Sequence, residues 1–89
     1  MLASRLVIVN KENNMPHIII QMYPGRDDEL KAAVAREVVE AASRALGRGE
    51  EHFSLSIEDV PQEKWDTDVV PHREDGNKKL FIDKGKLLK

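Results

Sequence analysis

The period at which hydrophobic positions recur changes along this chain, and each change marks an element. Residues 17 to 23, His-Ile-Ile-Ile-Gln-Met-Tyr, are β-branched and apolar and stop at Pro24-Gly25, which predicts a buried strand closed by a turn. From Asp28 to Leu46 the apolar positions Leu30, Val34, Val38, Ala41 and Ala45 recur at spacings of three and four, while Lys31, Arg36, Glu37, Glu40 and Arg44 lie largely off that stripe. This predicts an amphipathic helix. Asp27 suits its N-cap, Asp28 and Glu29 suit the positive end of its dipole, and Arg44 with Gly47 suit the other end. After Gly-Arg-Gly-Glu-Glu, residues 53 to 60 alternate, with Phe53, Leu55 and Ile57 on one face and Ser54, Ser56 and Glu58 on the other. That is the pattern of a half-buried strand.

A strand, a helix about 28 Å long at 1.5 Å per residue and a second strand make a crossover long enough for parallel pairing. The expected fold class is α/β (α+β): a single β-α-β unit. Two strands and one helix are marginal alone, so two protomers are expected to join edges into a four-stranded sheet with both helices on one face. Beyond Pro61, Gln62 to Val70 suits a helical turn, Pro71 to Asn77 a polar loop and Leu80-Phe81-Ile82 a short strand. The lysine-rich tail from Lys78 to Lys89 reads as a solvated or subunit-clasping arm. Residues 15–89 thus form one domain with a C-terminal arm from about 71, and residues 1–14 read as an upstream extension or a mis-assigned start. Within them, Leu6 to Val9 suits an added edge strand.

Composition sharpens this picture. At 89 residues a domain buries only about 60% of the surface its unfolded chain exposes. With no cysteine and no cluster of metal-ligand spacing, oligomerisation is the expected source of further burial. A net charge of -2 with 34% charged residues of both signs gives no single-signed field, so neither nucleic acid nor a membrane surface is expected as a partner. The run Leu6-Val7-Ile8-Val9 is too short for a secretory or membrane-spanning segment, which makes a cytoplasmic protein the expectation. The histidines at 17, 52 and 72 are scattered and read as non-ligands.

Met15-Pro16-His17-Ile18-Ile19-Ile20, then Pro24-Gly25-Arg26, the long helix, and Val60-Pro61 followed by Trp65 resemble the 4-oxalocrotonate tautomerase superfamily. The closest likeness is to small bacterial tautomerases that open on Met-Pro-His. The resemblance spans residues 15 to about 70 and implies a fold of the tautomerase/macrophage-migration-inhibitory-factor kind. It also implies an isomerase: the initiator methionine is removed, and the secondary amine of Pro16 shuttles a proton in keto-enol or allylic exchange on a small 2-oxo or enol acid. Such an amine suits a general base, since a free α-amine has a reference pKa of about 7.7 to 8.0 that desolvation or a nearby cation lowers. While residues 1–14 and Met15 remain attached, the same nitrogen is a tertiary amide without basicity. A start at Met15 is therefore the expectation.

By the same resemblance Arg26 binds a substrate carboxylate, a task suited to its fork of donors, and Trp65 forms an apolar wall that excludes water. Ser54 stands where the founding tautomerase carries a second arginine, which points away from a dicarboxylate substrate or toward a cation from the tail such as Lys78 or Lys79. Tyr23 ends the first strand near the expected mouth of the pocket. No metal or organic cofactor is implied, and the expected assembly is a homo-oligomer, dimer or hexamer. Two alternatives stand beside this reading. One is a hydratase or dehalogenase of the same superfamily, with Glu58 activating water. The other is a catalytically silent oligomerising protein that retains residues 1–14.

Overall fold

A computed structural model describes residues 15–89; the upstream extension and the candidate edge strand at Leu6 to Val9 lie outside the described residues. Its first elements are β1 (His17–Met22), α1 (Asp28–Leu46) and β2 (Ser54–Asp59). β1 and β2 are neighbours in a two-stranded sheet. Ser54 N–H donates to the Pro16 carbonyl at 3.2 Å, and Val60 N–H donates to the Met22 carbonyl at 2.8 Å. The two bonds advance by the same step along both strands in the same direction, so the pair is parallel and α1 is its crossover. This is the β-α-β unit expected from the sequence.

Local chemistry sets both ends of α1. The Asp27 side chain accepts from the Leu30 amide at 2.9 Å, satisfying one of the donors that a helix start leaves without a partner. At the other end Gly47 adopts φ 68°, a left-handed conformation that an L side chain adopts at a cost. There the amides of Gly47 and Arg48 both donate to the Ser43 carbonyl, at 2.9 and 3.2 Å. The Ser43 hydroxyl closes the same turn by donating to the Arg48 carbonyl.

Burial departs from the sequence expectation in two places. β1 is not buried throughout: Ile18 and Ile20 are half-buried, whereas Ile19 is 61% exposed. In β2 Leu55 and Ile57 are half-buried while Ser54, Ser56 and Glu58 are exposed. The sheet therefore has one covered face and one open face, as an antiparallel or two-stranded sheet with cover on one side does. On α1 the half-buried positions are Lys31, Ala33, Val34, Ala35, Val38, Val39, Glu40, Ala42 and Ser43, and Leu30, Ala41 and Ala45 of the expected stripe are exposed. α1 carries apolar residues over a wide arc, so the spacing of its larger side chains alone did not select the buried part.

The described residues divide into two compact units, one made of the segment to Ile20 with Gly25–Glu58, the other of Gln21–Pro24 with Asp59–Lys89. The second unit begins as β2 ends. A 3-10 turn at Gln62–Lys64 leads into the single-turn helix α2 (Trp65–Asp68), and another 3-10 turn follows at Val70–His72. Val60 and Val69, at 2% and 5% exposure, are the buried hydrophobic residues among those described. The predicted strand at 80–82 is displaced: the chain forms β3 (Ile82–Asp83) and β4 (Lys86–Leu87). These pair antiparallel, Ile82 opposite Leu87 and Asp83 opposite Lys86. Both turn residues have positive φ, 52° at Lys84 and 82° at Gly85, as a two-residue hairpin of type I′ requires. The Arg73 guanidinium meets Asp83 at 3.4 Å, and Lys89 approaches Glu74 at 3.9 Å.

Candidate functional site

Pro16 immediately precedes β1 and is half-buried. Its fixed φ suits a strand entry, and its carbonyl is held by the Ser54 amide. Arg26 lies in the exposed turn between Gly25 and Asp27. Gly25 has φ 122°, which lets the chain reverse sharply after Pro24 and hand Arg26 to the entry of α1. Pro16, Arg26 and Ser54 all belong to the first compact unit.

Tyr23 and Trp65 belong to the second unit and meet there. Their rings are 4.9 Å apart between centroids and nearly perpendicular, at 82°, an edge-to-face arrangement that suits the opposite charge of ring edge and ring face. Trp65 is half-buried, and its carbonyl accepts from the amide of the buried Val69 at 3.0 Å. Trp65 thus pairs with Tyr23 in one aromatic surface within its own unit. Tyr23, 42% exposed, forms the other half of that surface.

At Ser54 the sequence reading missed a partner. The hydroxyl of Ser54 shares a 2.6 Å hydrogen bond with Nδ1 of His17. On the other side of the ring, Ser56 Oγ lies 3.5 Å from Nε2 of the same histidine. A hydroxyl both donates and accepts, so either tautomer of the imidazole is served. His17, Ser54 and Ser56 are exposed and lie on the open face of the sheet. The signal was present in the sequence: in the parallel register His17 stands beside Ser54, with Ser56 next on the same face, but that register had to be known first.

The remaining residues singled out by the sequence are dispersed. Glu58 is exposed on β2, and Lys78 and Lys79 are exposed beyond the turn at Gly76, where the Lys78 amide donates to the Asp75 carbonyl at 3.0 Å. His52 pairs with Glu51 at 3.5 Å and His72 with Asp75 at 3.8 Å. Among the described residues no group of three or more histidine, cysteine, aspartate or glutamate side chains is gathered as a metal site requires. No described helix is long and apolar enough to cross a membrane.

Comparison with known proteins gives the chain its relatives. The model of the family described as "Tautomerase enzyme" matches residues 16–73. Tautomerase PptA of Escherichia coli is 31% identical over 65 residues, covering 67% of this chain and 87% of that protein. A Xylella fastidiosa protein named "Probable tautomerase" is 35% identical over 51 residues, covering 57% of this chain and 62% of its own. A Streptococcus pyogenes serotype M3 protein of similar name is 38% identical over 48 residues, covering 54% of this chain and 79% of its own.

Proposed function

The chain belongs to the tautomerase family, and from that membership we propose that it is a cofactor-independent isomerase using the free secondary amine of Pro16 as general base. The amine takes a proton from a small 2-oxo or enol acid and returns it to another atom of the same molecule. Arg26 binds the carboxylate of that acid. The resemblance assigns Trp65 the role of an aromatic wall, the kind of group that excludes water from such a reaction.

The observation that carries this reading is the coincidence of three things at Pro16. The family match opens on it, it stands at the entry of β1, and its carbonyl is tied to β2 through the Ser54 amide. A base at that point has a stiff ring and a backbone held on its far side, which limits the directions its lone pair takes. Ser54 brings no charge, so a monocarboxylate suits the site better than a dicarboxylate.

The same reading includes self-association into a dimer or hexamer. It is supported by the open face of the sheet with Ile19 at 61% exposure, by Leu30 and Leu46 at 49% and 59% on α1, and by a core of two buried residues among those described. Both strands of a two-stranded ladder also keep an unpaired edge.

The experiment joins intact mass to rate. The expected product of expression has the mass of a chain that begins at Pro16, and it accelerates enol-keto exchange of phenylpyruvate. Pro16→Ala is expected to be slower by about 100-fold or more, the usual contribution of a positioned acid or base. A protein that retains residues 1–14, or a Pro16→Ala variant as fast as its parent, would overturn the proposal.

A further inference from the structure

We propose that His17 is the positioning residue of the Pro16 centre: its imidazole, held between the hydroxyls of Ser54 and Ser56, fixes the first residues of β1 against β2. The inference rests on the reading of Pro16 as the base.

A base at the first residue of a chain stands at the place most prone to fraying. At the Pro16 side of β1 the Ser54 N–H donates to the Pro16 carbonyl at 3.2 Å, toward the long end of the usual range. The torsion between the Pro16 ring and its carbonyl sets where the ring nitrogen points, and a bond of that length holds the carbonyl loosely. The adjacent side chain adds two attachments to the same strand. His17 Nδ1 reaches Ser54 Oγ at 2.6 Å, and Nε2 faces Ser56 Oγ at 3.5 Å.

Ser54 takes part twice, its amide binding Pro16 and its hydroxyl binding His17. Release of the ring therefore loosens the residue that holds the proline carbonyl. His17 does not touch the substrate or the transferred proton; it raises the fraction of time in which the amine points correctly. Such an effect appears in kcat, because binding through Arg26 does not depend on it. The hydroxyl of Ser54 has a structural task at the position where the resemblance led one to look for a substrate contact.

The test compares the full chain, its mature N-terminus verified by intact mass, with His17→Phe, His17→Asn, Ser54→Ala and Pro16→Ala. Phenylalanine keeps the ring and loses both hydrogen bonds, whereas asparagine keeps a polar group near the Nδ1 position. His17→Phe is expected to lower kcat about five- to tenfold, the worth of one or two net hydrogen bonds, with KM within about twofold. His17→Asn is expected to regain most of the loss. The pH at which kcat is half-maximal is expected to stay where it is in the parent, since the part proposed for His17 is to position the amine.

Ser54→Ala should show the same loss, and combining it with His17→Phe should add little further, which keeps the test open if one variant fails to fold. An unchanged kcat in His17→Phe, or a pH midpoint that moves with it, would overturn the inference while a slow Pro16→Ala leaves the base in place. A Pro16→Ala as fast as the parent removes both together.

Discussion

Tyr23 and Trp65 illustrate how much one pair of side chains can carry in a small fold. Their rings meet edge to face, and Trp65 is also tied to the buried Val69 through its carbonyl. Replacing each with alanine, singly and together, should reveal a coupling of about 0.5 to 1.5 kcal/mol in denaturant unfolding. If the aromatic surface also serves the substrate, Trp65→Phe should keep most of the stability while raising KM. An unchanged KM would leave Trp65 with packing alone. At this scale the sequence was informative about residue type and silent about partners. The pairing of His17 with Ser54 joins residues 37 positions apart and arises from the strand register, which no local pattern around His17 encodes.

Elements whose signals are local were legible to the residue. The bounds of α1, its Asp27 cap and its Gly47 terminus were all predicted, because cap chemistry depends on neighbours within a few positions. The hairpin of β3 and β4 was not, and the reason is visible at Lys84. Its turn needs positive φ at both central positions, a demand that asparagine, aspartate or glycine usually announces, and Lys84 meets it at 52° without that announcement. Two substitutions should therefore act with opposite signs. Lys84→Asn relieves a left-handed lysine and should stabilise by up to about 1 kcal/mol. Gly47→Ala, at φ 68° with nothing within 4 Å of the added methyl group, should destabilise by about 1 kcal/mol through backbone conformation alone. Thermal unfolding of the two variants beside the parent checks both, and a shift of the same sign in each would contradict the argument.

For the molecule as a whole, what the sequence could not convey is what remains uncovered when one copy stands alone. The burial of β1 was overestimated because three successive isoleucines read as buried on both faces, while one copy has cover for only one. Self-association is expected to supply the rest. Sedimentation velocity across a dilution series should give a species of at least twice the mass of the mature chain. Ile19→Asp, which sets a charge on the open face, should shift the equilibrium toward the monomer and lower thermal stability with it. A monomer at all concentrations, with Ile19→Asp as stable as the parent, would refute the expectation.

The row formed by Ser54, His17 and Ser56 has one more consequence, for how the two strands find their alignment. Ile18 and Ile20 are chemically identical and share the covered face, so sliding β1 by two positions exchanges one isoleucine for the other, costs little in apolar contact and keeps every side chain on its own side. An imidazole that finds both hydroxyls at only one setting breaks that degeneracy. The polar row thereby acts against mispairing, penalising the slipped ladder that an oily sequence by itself would tolerate.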